Sequence, residues 1–172
     1  MSKVGRRMQR AEAEAILGKL RAAAPSAGWV PAGSYRRGEA EVGDLDLVVP
    51  AEAYGRTCRA LEAVCDTLLT RKADGKIVGG LSHGVGIELY VAKEGALGAM
   101  LLHATGSKAF NIFCRGLAVR RGWKLNQYGL FERESGECLA AKAEREILER
   151  LRVGWVEPER REGGPWRSST AS

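Results

Sequence analysis

The sequence predicts an α+β protein, a mixed sheet with flanking helices followed by a small α/β C-terminal lobe. Three observations carry that expectation. Residues 8–24 are rich in strong helix formers, with Ala15, Ile16, Leu20 and Ala23 near one stripe. The runs Leu45 to Val49 and GIELYV (86–91) have the apolar alternation of strands. Beyond Thr105-Gly106-Ser107, a helix-start signal, Phe110, Cys114, Leu117 and Ala118 recur at helical spacing until Gly122 stops them. The expected division is 1–100 for the first lobe, 101–162 for the second, and 163–172 as a disordered tail.

The remaining elements follow in order. Pro25-Ser26 ends the first helix, and Trp29 and Val30 form a short strand running into the Gly33-Ser34 turn. A second helix begins near Ala51, after Pro50, and carries Leu61, Val64, Cys65 and Leu68 inward. Arg71-Lys72 and Asp74-Gly75-Lys76 make a charged turn. Ile77 to Val91 reads as two short strands across a glycine-rich bend, and Gly95 to Gly98 as a flexible connection. The stretch AEREILERLR gives a short helix ahead of Trp155-Val156-Glu157-Pro158-Glu159.

Composition narrows the class of function. The 172 residues suffice for one domain or two small lobes, and 45% hydrophobic with 28% charged residues is ordinary for a soluble globular protein. No apolar run approaches the ~20 residues that span a bilayer, and the basic N-terminus lacks the apolar core of a secretory signal. The cytosol is the expected compartment and no membrane partner is expected. Cys58, Cys65, Cys114 and Cys138 have no CxxC spacing, so all four are expected reduced and structural zinc is not expected. With only His83 and His103, a multi-histidine metal site is excluded. A net charge of +6 favours a polyanionic partner.

The chemistry concentrates between Gly33 and Leu47, GSYRRGEAEVGDLDL. On a strand, residues two apart share a face, so Asp44 and Asp46 point the same way. Two such acids are often merely solvated. Here they follow Gly33-Ser34, which can offer backbone N–H groups and a hydroxyl to an anion, and Arg36 and Arg37, which can fork onto phosphate oxygens. Paired carboxylates suit Mg²⁺, and two Mg²⁺ about 4 Å apart are the usual arrangement for nucleotidyl transfer.

Gly-Ser followed by spaced Asp-x-Asp resembles the nucleotidyltransferase superfamily, and the fuller GSYRRG…GDLDL resembles the family X DNA polymerases. The likeness runs from about residue 8 to 162, a nucleotidyltransferase-type palm and a smaller lobe. It implies a DNA-directed DNA polymerase that fills gaps, with two Mg²⁺ (Mn²⁺ able to substitute), primer-template or gapped DNA and a dNTP as substrates, and a monomer. The resemblance implies Asp44, Asp46 and Glu88 as catalytic metal ligands, Glu88 standing where the family has aspartate. The nucleotide would meet Gly33, Ser34, Arg37, Gly43, Thr105, Gly106 and Asn111. DNA would meet Lys76, Arg115, Lys124, Asn126, Gln127 and Tyr128. Arg37 is favoured over Arg36 as the triphosphate clamp, and Lys3, Arg6 and Arg7 are equal candidates for a further contact.

Departures from the family carry their own expectations. His103-Ala104 stands where relatives have an aromatic pair that helps exclude ribonucleotides, so weaker sugar selection is expected. No room is expected for a lyase or helix-hairpin-helix lobe, so the chain resembles a minimal viral-type enzyme. DNA affinity should then fall by about 0.9 log units per neutralised phosphate for each decade of salt. A template-independent nucleotidyltransferase would share Gly33-Ser34 and Asp44-x-Asp46, but Thr105 to Asn111 and Arg115 suit a base pair. A non-enzymatic DNA-end binder is disfavoured by the intact acids. A filled gap leaves a nick for a ligase, a partner the sequence does not identify.

Overall fold

The computed structural model describes residues 7–26, 28–65, 70–71, 77–80 and 85–166. Strand β1 (Met8–Gln9) leads into helix α1 (Arg10–Ala23). Gln9 and Glu12 form a reciprocal capping box there, satisfying backbone donors that the first turn leaves over. Strand β2 (Val30–Pro31), the turn of helix α2 (Gly33–Arg36), β3 (Glu41–Val42) and β4 (Leu45–Pro50) follow. A 3₁₀ turn (Ala51–Ala53) opens α3 (Tyr54–Glu62), and β5 (Thr70–Arg71), β6 (Ile77–Gly80) and β7 (Gly86–Ala92) complete the first half.

β1 and β3 pair antiparallel, and the other five strands make a mixed sheet in the order β2-β4-β7-β6-β5, parallel only between β4 and β7. Alternation sorts its two faces. Leu45, Leu47 and Val49 of β4 join Ile87 and Leu89 of β7 in one core, sealed by Leu17 and Leu20 of α1 and Leu61 of α3. Val64 and Cys65 pack against its edge, whereas Leu68 lies outside the described residues. The opposite face presents Asp46, Val48 and Pro50 on β4 beside Glu88, Tyr90 and Ala92 on β7.

That second face is covered by an element the sequence reading missed. Residues expected to be a flexible connection begin helix α4 (Leu97–Thr105), whose Met100 packs with Val48 and Ala92. Gly98 is there for close approach: a Cβ on it would lie 2.3 Å from Ala143 Cα. The amides of Gly98 and Ala99 donate to the carbonyls of Lys142 and Ala141 at 3.0 and 2.9 Å, so backbone rests on backbone.

The second half comprises α5 (Lys108–Arg120), β8 (Trp123–Asn126), β9 (Gly129–Glu132), β10 (Cys138–Ala140) and α6 (Glu144–Arg150), with β8, β9 and β10 in an antiparallel sheet. Ser107 caps α5 by accepting from the Phe110 amide at 3.3 Å. Phe110, Cys114, Leu117 and Ala118 form its buried stripe, packed with Ile147, Leu148 and Leu151, and with Ala99 and Leu102 of α4. Position 100/101, where the sequence places the division, therefore falls inside a helix that packs on the second face of the first sheet and into the core of the second half.

Trp166 lies inside the tail expected to be disordered from 163 onward, and it makes tertiary contacts. Its indole packs edge-on against Phe110 at 5.1 Å between ring centres, and its Nε1 donates to the Arg160 carbonyl at 2.9 Å. An aromatic payload and a satisfied N–H outweigh the preceding Gly163 and Gly164 in holding the segment down. All four cysteines are free. The thiol of Cys114 is fully enclosed, and burial pushes its pKa up to about 12. No helix among the described residues is long and apolar enough to cross a membrane.

The two halves are joined by a buried ionic triad. Glu144 receives Arg36 of α2 on one carboxylate oxygen and Arg161 on the other, both at 2.7 Å, while its side chain is only 5% exposed. Arg161 is fully buried, and Ser107 Oγ donates to its carbonyl at 2.7 Å. Replacing Glu144→Ala leaves two guanidinium groups facing each other without a counter-charge. A loss of about 3 kcal/mol in unfolding free energy is expected, measured by urea denaturation; a loss below about 1 kcal/mol would show the triad to be no more than a surface pair.

Candidate active site

The site starts from the parallel register of β4 and β7. Asp46 stands directly opposite Glu88, with buried leucines on either side of Asp46, so both carboxylates are turned from the core onto the open end of the second sheet face. Asp44 precedes β4 by one residue and is exposed, and it lines the same cleft as Asp46. Room for the acids comes from two glycines. A Cβ on Gly33, which has φ +56°, would fall 1.9 Å from Asp46 Oδ2; one on Gly86 would fall 2.8 Å from Asp44 Oδ1. Gly33 thus serves both the left-handed backbone that starts α2 and the close passage of a carboxylate.

A cleft of about 700 Å³ opens over these groups. On the first lobe it is lined by Gly33, Ser34, Arg37, Gly43, Asp44 and Asp46, all expected there, together with Arg7 and Glu39. On the second lobe Thr105, Gly106, Asn111 and Arg115 line it as expected, with His103, Ala104, Lys108 and Ile112 besides. Asn111 is held by donating its amide to the His103 carbonyl at 2.9 Å, and Arg115 reaches His103 Nδ1 at 3.3 Å. Helix α5 therefore presents an amide, a guanidinium and the exposed Ile112 side chain toward the cleft, 59% of that residue being open.

Glu88 stands behind this lining rather than on it. Its Oε2 accepts a 2.8 Å hydrogen bond from the Tyr90 hydroxyl, two residues along the same face. Burial first, and then the negative charge of Asp46 and Glu88, push the Tyr90 phenol far above its ordinary value, so it remains a donor. Among the described residues no three acidic, histidine or cysteine side chains already close around a point where an ion could sit. The donor chemistry still fits a hard divalent cation: two carboxylates on adjacent strands and a third just ahead of one of them, with glycine rather than side chain beside two of the three. Asp44, Asp46 and Glu88 are the residues that would hold it.

The arginines divide their work. Arg36 turns away from the cleft, donating to Thr105 Oγ1 and Glu144, whereas Arg37 lines it. Arg37 donates to the Thr105 carbonyl at 2.7 Å and to Glu39, and its Nε lies 2.6 Å from Glu162 Oε1 in an ion pair too poorly aligned to satisfy that N–H as a hydrogen bond. Of the three N-terminal cations, Arg7 lines the cleft, and Lys3 and Arg6 lie outside the described residues. Lys76 also lies outside them.

Four of the six expected DNA contacts, Lys124 and Asn126 to Tyr128, lie on the β8–β9 hairpin. Lys124 is exposed, Asn126 and Gln127 are half-buried, and Tyr128 is 37% exposed beneath Lys93, whose ammonium lies 4.2 Å from the ring centre. Asn126 Oδ1 accepts from the Tyr128 amide at 2.8 Å, which fixes the tip. Sequence reasoning missed Tyr90 and Glu39. The signal for Tyr90 was present, since it stands two residues beyond Glu88 in an alternating strand; Glu39 carried none.

Comparison with known proteins adds a consistent set of likenesses. The family profile for the DNA polymerase beta palm matches residues 3–92, and that for the DNA polymerase beta thumb matches 100–162. Over 85 residues, 49% of this chain, the sequence is 39% identical to a Saccharomyces cerevisiae protein named DNA polymerase IV, of which 14% is covered. Over 137 residues, 77% of this chain, it is 28% identical to the DNA polymerase/3'-5' exonuclease PolX of Bacillus subtilis, of which 24% is covered. The matches thus span about a quarter or less of these relatives' own length.

The glycine beside Asp46 gives a direct test of the geometry. Gly33→Ala is expected to cost about 2 kcal/mol or more through overpacking and backbone strain. Gly43→Ala, with nothing within 4 Å of the added methyl, should stay within about 0.5 kcal/mol. Thermal denaturation of both variants checks this, and equal midpoints would mean that Gly33 does not crowd the carboxylate.

Proposed function

The chain belongs to the family X DNA polymerases, and we propose that its cleft adds a deoxynucleotide to a primer 3′-hydroxyl under the direction of a template, as in filling a short gap. One observation carries this reading. Asp44 and Asp46 open into a single cleft with Arg37 and Arg7 on one side and Asn111 and Arg115 of α5 on the other. The first group suits a triphosphate and the second the edge of a base pair and a template strand. A lone nucleotide would need only the first.

In this reading the primer 3′-oxygen attacks the α-phosphorus in line with the bridging oxygen, whose bond breaks to release pyrophosphate. Two Mg²⁺ ions, or Mn²⁺ in their place, would supply positive charge at the attacking and leaving oxygens when held by Asp44, Asp46 and Glu88. Arg37, Ser34 and the Gly43 backbone hold the β- and γ-phosphates, and Arg7 extends that cradle. Asn111 meets the incoming base and Arg115 the template strand. Glu88 faces the primer side, its extra methylene giving roughly 1.5 Å more reach than aspartate. Lys124 and Asn126 to Tyr128 contact the template backbone. A monomer in the cytosol acting on gapped DNA, with a ligase to seal the nick, completes the proposal.

Single-nucleotide extension of a labelled primer on a one-nucleotide gap tests it. The expected outcome is incorporation dictated by the template base, reduced about a thousandfold or more in Asp46→Asn and clearly slowed in Glu88→Gln. Extension indifferent to the template would replace this reading by a template-independent transferase, and a fully active Glu88→Gln would remove that residue from the site. With His103 and Ala104 as the cleft wall, ribonucleotides should compete better than they do in a relative with an aromatic pair there. Equal or stronger selection for deoxyribose would refute that expectation.

A further inference from the structure

Resting on the reading of this cleft as a triphosphate site, we propose that Glu39 determines its anion affinity by acting as an internal counter-anion that a polyphosphate must displace. The carboxylate sits between the two arginines that line the cleft. One oxygen, Oε1, is 2.5 Å from a terminal nitrogen of Arg37, and Oε2 is 3.6 Å from Arg7. Glu162 adds a second carboxylate at 2.6 Å from Arg37 Nε, and Glu41 a more distant one, 4.0 Å from Arg7. Among the described residues Arg37 thus meets two carboxylates and Arg7 shares one of them, so both cations are already countered before any ligand arrives.

Position supports the role. Glu39 directly follows the turn that carries Arg36 and Arg37, and its amide donates to the Ser34 carbonyl at 3.1 Å. The carboxylate is thereby tethered to the same turn as the hydroxyl expected to hold phosphate. Its side chain is 29% exposed and that of Arg37 15%, so their ion pair is only partly screened by water. An incoming polyphosphate competes for the same N–H groups. The same carboxylate returns to Arg37 as pyrophosphate departs, which favours release of product. Discrimination by an opposing charge is a common route to specificity. Here it would set a threshold that single phosphates do not cross.

Calorimetric titration of the full chain with inorganic pyrophosphate, without DNA, reads this without turnover. Glu39→Gln should bind about three- to tenfold tighter than the native protein. Glu162→Gln should shift the same way by less, because that side chain is half exposed, and Glu41→Gln should be unchanged. In steady-state incorporation Glu39→Gln should lower the KM for the nucleotide and strengthen inhibition by pyrophosphate without raising kcat. Arg37→Ala, expected to lose the binding, serves as the reference. Pyrophosphate bound through Arg37 with no gain in Glu39→Gln would overturn the proposal and leave the polymerase reading intact. Binding indifferent to Arg37, or none in any form, would remove the triphosphate site itself and the proposal with it.

Discussion

Everything at the site depends on the in-register parallel pairing of β4 with β7. Alternation along each strand sends leucine, valine and isoleucine into the α1/α3 core and leaves acids on the other face. A slip of one residue would exchange the two sets and bury two carboxylates without counter-charge, at several kcal/mol each. The hydrophobic core therefore enforces the register, and the register brings Asp46 beside Glu88. Precision at the site is inherited from packing on the far side of the sheet.

The second lobe is attached by polar as much as by apolar contact. Arg36, Glu144 and Arg161 form a triad whose members come from α2, α6 and the residue after the 3₁₀ turn Pro158–Arg160. Desolvation depresses the basicity of Arg161, and the carboxylate beside it works the other way. Such a triad often adds less net stability than apolar replacements of similar volume; here it ties α2, α6 and the C-terminal segment to one carboxylate. Consecutive arginines are thus given different tasks: Arg36 fastens the lobes, and Arg37 faces the cleft between them.

Much of this was legible in the sequence, and the misses share a cause. The acids, the glycine turn and the buried stripe of α5 follow from local spacing, and the structure brings most of them to one cleft. Helix α4 was not foreseen because Gly95 and Gly98 look like flexibility from within one segment. Only the Ala143 backbone, forty-five residues on, reveals Gly98 as a point of contact. Trp166 was lost for the same reason, since its partners Phe110 and Phe113 are remote in sequence. Glu39 escaped because an acid between two arginines on a loop has no periodic signature. Chemistry carried by spacing along one strand can be read directly; chemistry assembled across lobes cannot.

The tryptophans have an optical consequence. Of the four in the chain, Trp123, Trp155 and Trp166 pack against the core of the second lobe, and only Trp29 packs against that of the first. Indole emission is accordingly a biased witness. An unfolding curve followed by fluorescence mostly watches α5, α6 and their hairpin come apart, whereas far-ultraviolet dichroism weighs both halves by their helix. Should the lobes lose structure at different denaturant concentrations, the two signals would part company, and the gap between them would measure how firmly one half is coupled to the other.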